Sequence, residues 1–190
     1  MFMKEYKEEG GEQVDISKLR VPKMPFEHYM AANAGLVIVC HDVIVDYNDA
    51  ALLVQRKIFP AKDIYWPIGG RVQKGMPIEE SLKAKVKEEC KLDLSDIVEL
   101  GIARTFWKTD PFGHGRGVDT INFMFYGKGS GTLELNDDHY NAVLVEPEDY
   151  APSVFQQTLH PYVQEIMDKA IPLIKRRVDE DVEKPAPKPI

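Results

Sequence analysis

Residues 66–92 have the sequence WPIGGRVQKGMPIEESLKAKVKEECKL, in which a short strand, two adjacent glycines and a helical pattern follow one another. Gly69 and Gly70 carry no side chain, so the backbone there can approach a ligand closely and aim its polar groups at it. Pro77 stands in the first turn of the predicted helix, where proline costs no hydrogen bond. A strand, a glycine turn and a helix in this order are typical of a cradle for an anion or a metal ion.

The predicted helix, residues 77–92, carries a carboxylate on its apolar side. At roughly 100° per residue, Glu89 points within about 60° of Val86, whereas Glu88 points to solvent. A carboxylate on an apolar face needs a partner or a metal ion, because a lone buried charge is costly. Lys85, one turn earlier, is an alternative partner. The apolar side is a stripe that recurs every four residues and consists of Ile78, Leu82, Val86 and Cys90.

The rest of the chain alternates β-branched segments with helical ones. The central helix is joined by a terminal helical region, residues 152–177, which Pro161 and Pro172 are expected to interrupt. This order predicts an α/β sandwich over a mixed β-sheet. The predicted strands cover residues 36–45, 51–55, 65–68, 71–72, 97–107, 120–126 and 141–145, and a glycine-rich loop covers 109–117.

Composition limits the partners of this 190-residue chain. A net charge of −7 argues against nucleic-acid and membrane surfaces, because both polyanions favour excess Lys and Arg. Two cysteines and no apolar leader lead us to expect a cytoplasmic protein. We predict one domain over residues 21–178, a polar N-terminal arm over 1–20, and a disordered tail over 179–190 that alternates charge and proline.

The segment from Gly70 to Leu92 resembles the Nudix box. The opening glycine, Val86, both late glutamates and Leu92 fit its pattern, whereas Met76, Ala84, Lys85 and Lys91 depart from it. Lys85 replaces the glutamate that binds metal or acts as the base in ordinary Nudix enzymes. Residues 60–75, PAKDIYWPIGGRVQKG, are similar to the GDP-mannose mannosyl hydrolases, a branch that also lacks this glutamate.

The resemblance implies a Nudix-type α/β/α sandwich and a set of site residues. The implied cofactor is Mg²⁺, with Mn²⁺ as the alternative, and its implied ligands are the Gly69 carbonyl, Glu89 and Asp138. The implied catalytic residues are His139 as the base, Arg56, and Asp42 in the first strand. Arg56, Arg71 and Gly70 would bind the substrate. The resemblance also implies a homodimer.

Three functions remain open at this point. The first is a Mg²⁺-dependent hydrolase of a nucleoside diphosphate sugar, GDP-mannose-like, in which water attacks the anomeric carbon and GDP leaves. The second is a pyrophosphohydrolase that uses Glu88 and Glu89 to cleave between phosphates. The third is a non-catalytic module that binds a nucleotide, with the Lys85 ammonium in place of the metal ion.

Several side chains have competing interpretations. His114, in the glycine-rich loop, is an alternative base to His139. Trp66 and Trp107 can stack on a base or sugar, but core packing is the expected role. The apolar face of the C-terminal helix can close the sandwich or meet a second subunit.

Overall fold

The structure, a computed structural model, describes residues 3–21, 24–150 and 153–183. Its helices are α1 (Phe26–Gly35), α2 (Ile78–Cys90), α3 (Pro147–Tyr150), α4 (Val154–Thr158) and α5 (Pro161–Glu183). Its strands are β1 (Glu8–Glu9), β2 (Glu12–Gln13), β3 (Ile38–Tyr47), β4 (Ala50–Arg56), β5 (Tyr65–Trp66), β6 (Ile68–Arg71), β7 (Asp93–Trp107), β8 (Val118–Ser130) and β9 (His139–Val145).

Strand β3 organises a mixed sheet of seven strands. It runs parallel to β8 along one edge, from the pair Ile38–Thr120 to the pair Asp46–Lys128. Along its other edge it pairs antiparallel with β4 and with β6. Strand β4 continues the sheet to β5 and β9, and β7 pairs with β8 on the opposite side. The glycine-containing β6 is therefore hydrogen-bonded to the centre of the sheet.

Alternate residues of β3 enter two separate cores. Val43 and Val45 pack with α2 on one face, whereas Ile44 packs with α5 on the other. This alternation is the period of a strand whose two faces are both covered. The α/β/α sandwich over a mixed sheet is thus confirmed. The apolar side of α5 closes the sandwich, since Val163, Ile166, Met167, Ala170 and Ile174 are all fully buried.

Helix α2 matches the predicted helix within two residues at each end. Pro77 precedes it, and Lys91 ends it in the left-handed conformation. All four residues of the apolar stripe are buried, and Glu89 is buried with them at 8% exposure. The Glu88 side chain is 59% exposed, so the predicted directions of the two glutamates are confirmed.

Both ends of the chain contain more regular structure than the sequence suggested. The arm contains the β1–β2 hairpin and a 3-10 turn at Ile16–Leu19, and Glu5 accepts a hydrogen bond from the backbone N–H of Ile78. Helix α5 passes through Pro172 without a break and reaches Glu183, so the tail predicted over 179–190 begins as helix. Residues 184–190 lie outside the described residues. The domain boundaries themselves stay a prediction.

Helix α1 was not predicted, because its sequence FEHYMAANAG lacks an apolar stripe. In the structure, Asn33 is the only buried residue of this helix. None of the helices in the described ranges is long and apolar enough to cross a membrane.

Candidate functional site

Glu89 lies at the point where α2 passes the glycine turn. Its Oε2 accepts a hydrogen bond of 3.4 Å from the backbone N–H of Gly69. Burial raises the pKa of Glu89 to about 7, although the charges of Lys85 and Arg56 and the Gly69 N–H act in the opposite direction. A carboxyl group that titrates near neutral pH in a cleft is a candidate for proton transfer.

Lys85 extends from the same helix across the glycine turn. Its ammonium lies 2.6 Å from Oε2 of Glu88 and 3.8 Å from Oε1 of Glu89. Its alkyl stem covers Gly70, where an added Cβ would lie 3.6 Å from Cε of Lys85. The lysine side chain is only 19% exposed, so the predicted pairing with Glu89 is present and includes Glu88 as well.

His139, the first residue of β9, meets Glu89 from the opposite side. Oδ1 of Asn136 accepts hydrogen bonds from the Asp138 N–H and from Nδ1 of His139, the latter at 2.8 Å. Nδ1 therefore carries the imidazole proton, and Nε2 presents a lone pair 3.9 Å from Oε2 of Glu89. Burial, and next the charge of Arg56, lower the pKa of His139 to about 4. The ring is therefore neutral at neutral pH, and its Nε2 lone pair is free to accept a proton, while the lowered pKa makes it a weaker base than free histidine.

Asp42 in β3 lies against the first glycine of the turn. A Cβ at position 69 would collide with the backbone carbonyl oxygen of His41 and with Oδ1 of Asp42, so the strand pairing here requires glycine. Tyr162 on α5 donates its hydroxyl to Oδ2 of Asp42 at 2.7 Å. Burial raises the pKa of Asp42 to about 6. His41, the neighbour of Asp42, is also buried but faces α2, where Nε2 lies 2.8 Å from the hydroxyl of Ser81.

A pocket of about 290 Å³ opens beside these groups. Arg56, Arg71, Gly70 and Asp42 all line it. Within the part of the chain that the structure describes, the Arg56 guanidinium has no hydrogen-bond or ion-pair partner, and its charge acts on Glu89 and His139. Arg56 is also the register partner of His139 where β4 pairs with β9. Arg71 is exposed and stacks on the ring of Tyr29 at 4.3 Å. Two guanidinium groups at one pocket suit the oxygens of a diphosphate.

The walls of the pocket are aromatic and its floor is polar. Thr105 accepts hydrogen bonds from Asn122 and from the Trp107 indole, and its hydroxyl lies 2.7 Å from that of Thr120. Trp66 is buried in the core, as expected, but one surface of it and of Trp107 also lines the pocket. This combination of flat apolar walls and a few fixed polar groups is typical of small-molecule sites.

The glycine-rich loop, residues 109–117, is fastened to α1. Nδ1 of His114 accepts the Arg116 N–H, so Nε2 carries the proton and donates it to Oδ1 of Asn33 at 2.9 Å. Phe112 packs edge-on against Tyr29, with ring centroids 5.2 Å apart. Both ring nitrogens of His114 are engaged in these contacts, so the structure does not support His114 as the alternative base.

The residues at the glycine turn do not fit a divalent ion as they stand. The Lys85 ammonium already contacts both box glutamates. Two like unit charges about 4 Å apart repel by about 4 kcal/mol near a protein surface, and a divalent ion doubles that cost. Asp138 is exposed, and the hydrogen bonds at this residue are made by its backbone. Across the described ranges, no three His, Cys, Asp or Glu side chains are grouped to hold a metal ion.

The structure therefore brings most of the predicted site together in two adjoining groups. Arg56, Arg71, Gly70 and Asp42 line the pocket. The second group is Gly69, Glu89 and His139, with Lys85 beside them.

Three contributors were missed by the sequence analysis. Asn136 orients His139, Tyr162 fastens Asp42, and Tyr29 of α1 supports Arg71. Only Asn136 had a local signal, because it stands three residues before His139 in a turn-like segment.

No protein-family model matches the chain, and no curated protein matches it in sequence. Solved structures do match its fold. A MutT NUDIX hydrolase from Burkholderia pseudomallei has a TM-score of 0.55 at 16% identity, over 70% of this chain and 96% of that one. The MutT protein from Methanosarcina mazei Go1 has a TM-score of 0.55 at 18% identity, over 78% and 96%. A NUDIX hydrolase from Nitrosomonas europaea has a TM-score of 0.54 at 16% identity, over 79% and 97%.

These likenesses establish the architecture of the chain: it has the Nudix fold. At such low identity the agreement covers the path of the backbone, and the chemistry of the site has to be argued from the residues described above.

Proposed function

We propose that the chain is a hydrolase of a nucleoside diphosphate-linked compound, with a sugar nucleotide of the GDP-mannose type as its substrate. The observation that carries the proposal is the position of Arg56. Its unpartnered guanidinium lines the pocket, and its positive charge lowers the pKa values of both Glu89 and His139. Arg56 therefore acts both on the pocket that would bind the diphosphate and on His139, the candidate base.

The diphosphate lies against Arg56 and Arg71, whose forked donors suit phosphate oxygens. The aromatic walls hold the base or the sugar, because flat rings stack on such groups. His139 takes a proton from water at Nε2, and the water oxygen bonds to the anomeric carbon. The bond between that carbon and the β-phosphate oxygen breaks, and GDP leaves with the bonding electrons.

The test is incubation of the full chain with GDP-mannose, with Mg²⁺ and separately with chelator, followed by separation of the products. Free mannose and GDP are the expected products. GMP and mannose 1-phosphate would show cleavage between the phosphates and overturn the attack on the sugar. A dependence of turnover on Mg²⁺ would show that the metal ion is used despite Lys85.

A second candidate is a module that binds a nucleotide without turnover. The contact of Lys85 with both box glutamates favours it, because these carboxylates then have a resident partner. Tight binding of GDP-mannose with no product after prolonged incubation would support this candidate over the hydrolase.

A further inference from the structure

We infer that the Lys85 ammonium is the resident cation of this site, and that the site binds a diphosphate without a divalent metal ion. The inference rests on the proposed function, because it concerns how the same site holds the diphosphate. In this inference, Lys85 supplies the positive charge that a divalent metal ion would otherwise provide.

The ammonium of Lys85 lies 2.6 Å from a Glu88 oxygen and 3.8 Å from a Glu89 oxygen, between the two carboxylates that the Nudix-like segment presents. An ammonium has three donors, and the short contact with Glu88 uses one of them. The remaining donors are available for the weaker contact with Glu89 and for an oxygen of a ligand.

The Lys85 side chain is held in place by its surroundings. Its stem lies over Gly70, and its side chain is only 19% exposed, whereas a typical surface lysine extends into solvent. On the same helix, Lys83 makes an ordinary pair with Glu79 at 2.6 Å, with its side chain 45% exposed. The difference in burial separates a cation built into the site from a surface ion pair.

The charge of Lys85 extends over the whole candidate site. The charge of Lys85 acts on Glu89 and His139 beside the glycine turn, and on Cys40, which lines the pocket. Together with Arg56 and Arg71, Lys85 makes three cations, which face the two box carboxylates and the carboxyl group of Asp42. The three cations can pair with the several negative charges of a diphosphate. A divalent ion would lie against the Lys85 ammonium, which already contacts both box carboxylates.

The experiment is calorimetric titration of the full chain with GDP and, separately, with inorganic pyrophosphate. Each titration is done after dialysis against EDTA and again with excess Mg²⁺. The expected result is binding in EDTA that is at least as tight as binding with excess Mg²⁺, because Mg²⁺ in solution also complexes pyrophosphate and GDP. Binding that requires Mg²⁺ and is lost in EDTA would overturn the inference.

Variants assign the effect to the lysine. Lys85→Gln is expected to weaken binding in EDTA by about tenfold or more, the usual value of a hydrogen bond to a charged group, whereas Lys85→Arg keeps binding within a few-fold. Lys83→Gln is the matched control and should bind as the wild type does. Equal affinity in Lys85→Gln and wild type would overturn the inference. If Lys85→Gln does not fold, the buffer comparison on the wild-type chain still decides it.

The outcomes separate the two proposals. Metal-independent binding of GDP and pyrophosphate without turnover of GDP-mannose would support Lys85 as the resident cation and contradict the proposed hydrolase activity. Turnover that is strictly dependent on Mg²⁺ would support the hydrolase and overturn Lys85 as a replacement for the metal ion. Failure of both ligands to bind in either buffer would overturn both.

Discussion

Nε2 of His139 lies 3.9 Å from Oε2 of Glu89, and the pKa values of these two side chains are reversed relative to free histidine and glutamate. Burial lowers the pKa of His139 to about 4 and raises that of Glu89 to about 7. A proton shared by the pair therefore resides on the carboxyl group. The lone pair on Nε2 stays available, which is the form of histidine that a base-catalysed hydrolysis needs.

His139→Gln is expected to lower kcat on the preferred sugar nucleotide by about 100-fold or more, since loss of a general base usually costs that much. His28→Gln is the control, because His28 is exposed on α1. Both rates should be measured on proteins with unchanged circular dichroism. A drop of less than about tenfold in His139→Gln would assign the base to another group.

The acid limb of the pH profile tests the same histidine independently. Because the pKa of His139 is lowered to about 4, kcat/KM should stay constant as the pH falls from 7 to about 5, and decline near pH 4. The charge of Arg56 is the second cause of that lowering, so Arg56→Gln should move the limb to higher pH. Steady-state rates between pH 4 and 8 provide the measurement. A wild-type limb near pH 7 would indicate that ionised Glu89 is the base instead.

Glu89 also predicts how stability depends on pH. Its pKa is raised from 4.5 to about 7 by burial, so the folded state binds more protons than the unfolded state between these values. Its contribution therefore lowers the free energy of unfolding as the pH rises through this window. The free energy of unfolding of Glu89→Gln, taken relative to that of the wild type, should therefore rise by roughly 2–3 kcal/mol from pH 5 to pH 8.

Urea unfolding in chelator-containing buffer at both pH values is the measurement. Glu80→Gln is the control, because Glu80 is an exposed carboxylate of the same helix, with its side chain 60% exposed. A Glu89→Gln difference that does not change with pH would show that burial does not shift this carboxyl group.

The helix stripe and the glycine pair were readable from sequence because both depend on neighbours close along the chain. The periodicity of α2 gave the directions of Glu88 and Glu89, and the i to i+4 spacing gave the contact of Lys85. The sheet pairing that brings Asp42 against Gly69 depends on the whole β3–β6 register, which the local pattern does not contain.

The contacts that build the pocket could not be predicted from local sequence patterns. Tyr162 reaches Asp42 across 120 positions of sequence, and no periodicity relates the two residues. Helix α1 supplies Tyr29 and Asn33 to the pocket although it has no apolar stripe, since it is held by aromatic packing on Phe112 and by the His114 hydrogen bond. The homodimer and the cytoplasmic location stay predictions.

Glu5 predicts a structural role for the N-terminal arm. Helix α2 begins after Pro77, which offers no side-chain cap, and Glu5 accepts the first free N–H, that of Ile78, at 2.8 Å. The negative charge of Glu5 also lies at the positive end of the helix dipole. Glu5→Ala should therefore destabilise the fold by about 1 kcal/mol, the usual value of a lost N-terminal cap.

Thermal unfolding compared with Glu8→Ala tests this role, because Glu8 is exposed in the β1–β2 hairpin. We expect the Glu5 variant to lower the midpoint by a few degrees and the Glu8 variant to leave it unchanged. Since α2 carries Lys85 and Glu89, loosening its first turn should also weaken pyrophosphate binding in Glu5→Ala. Equal midpoints in the two variants would show that the arm does not cap α2 in solution.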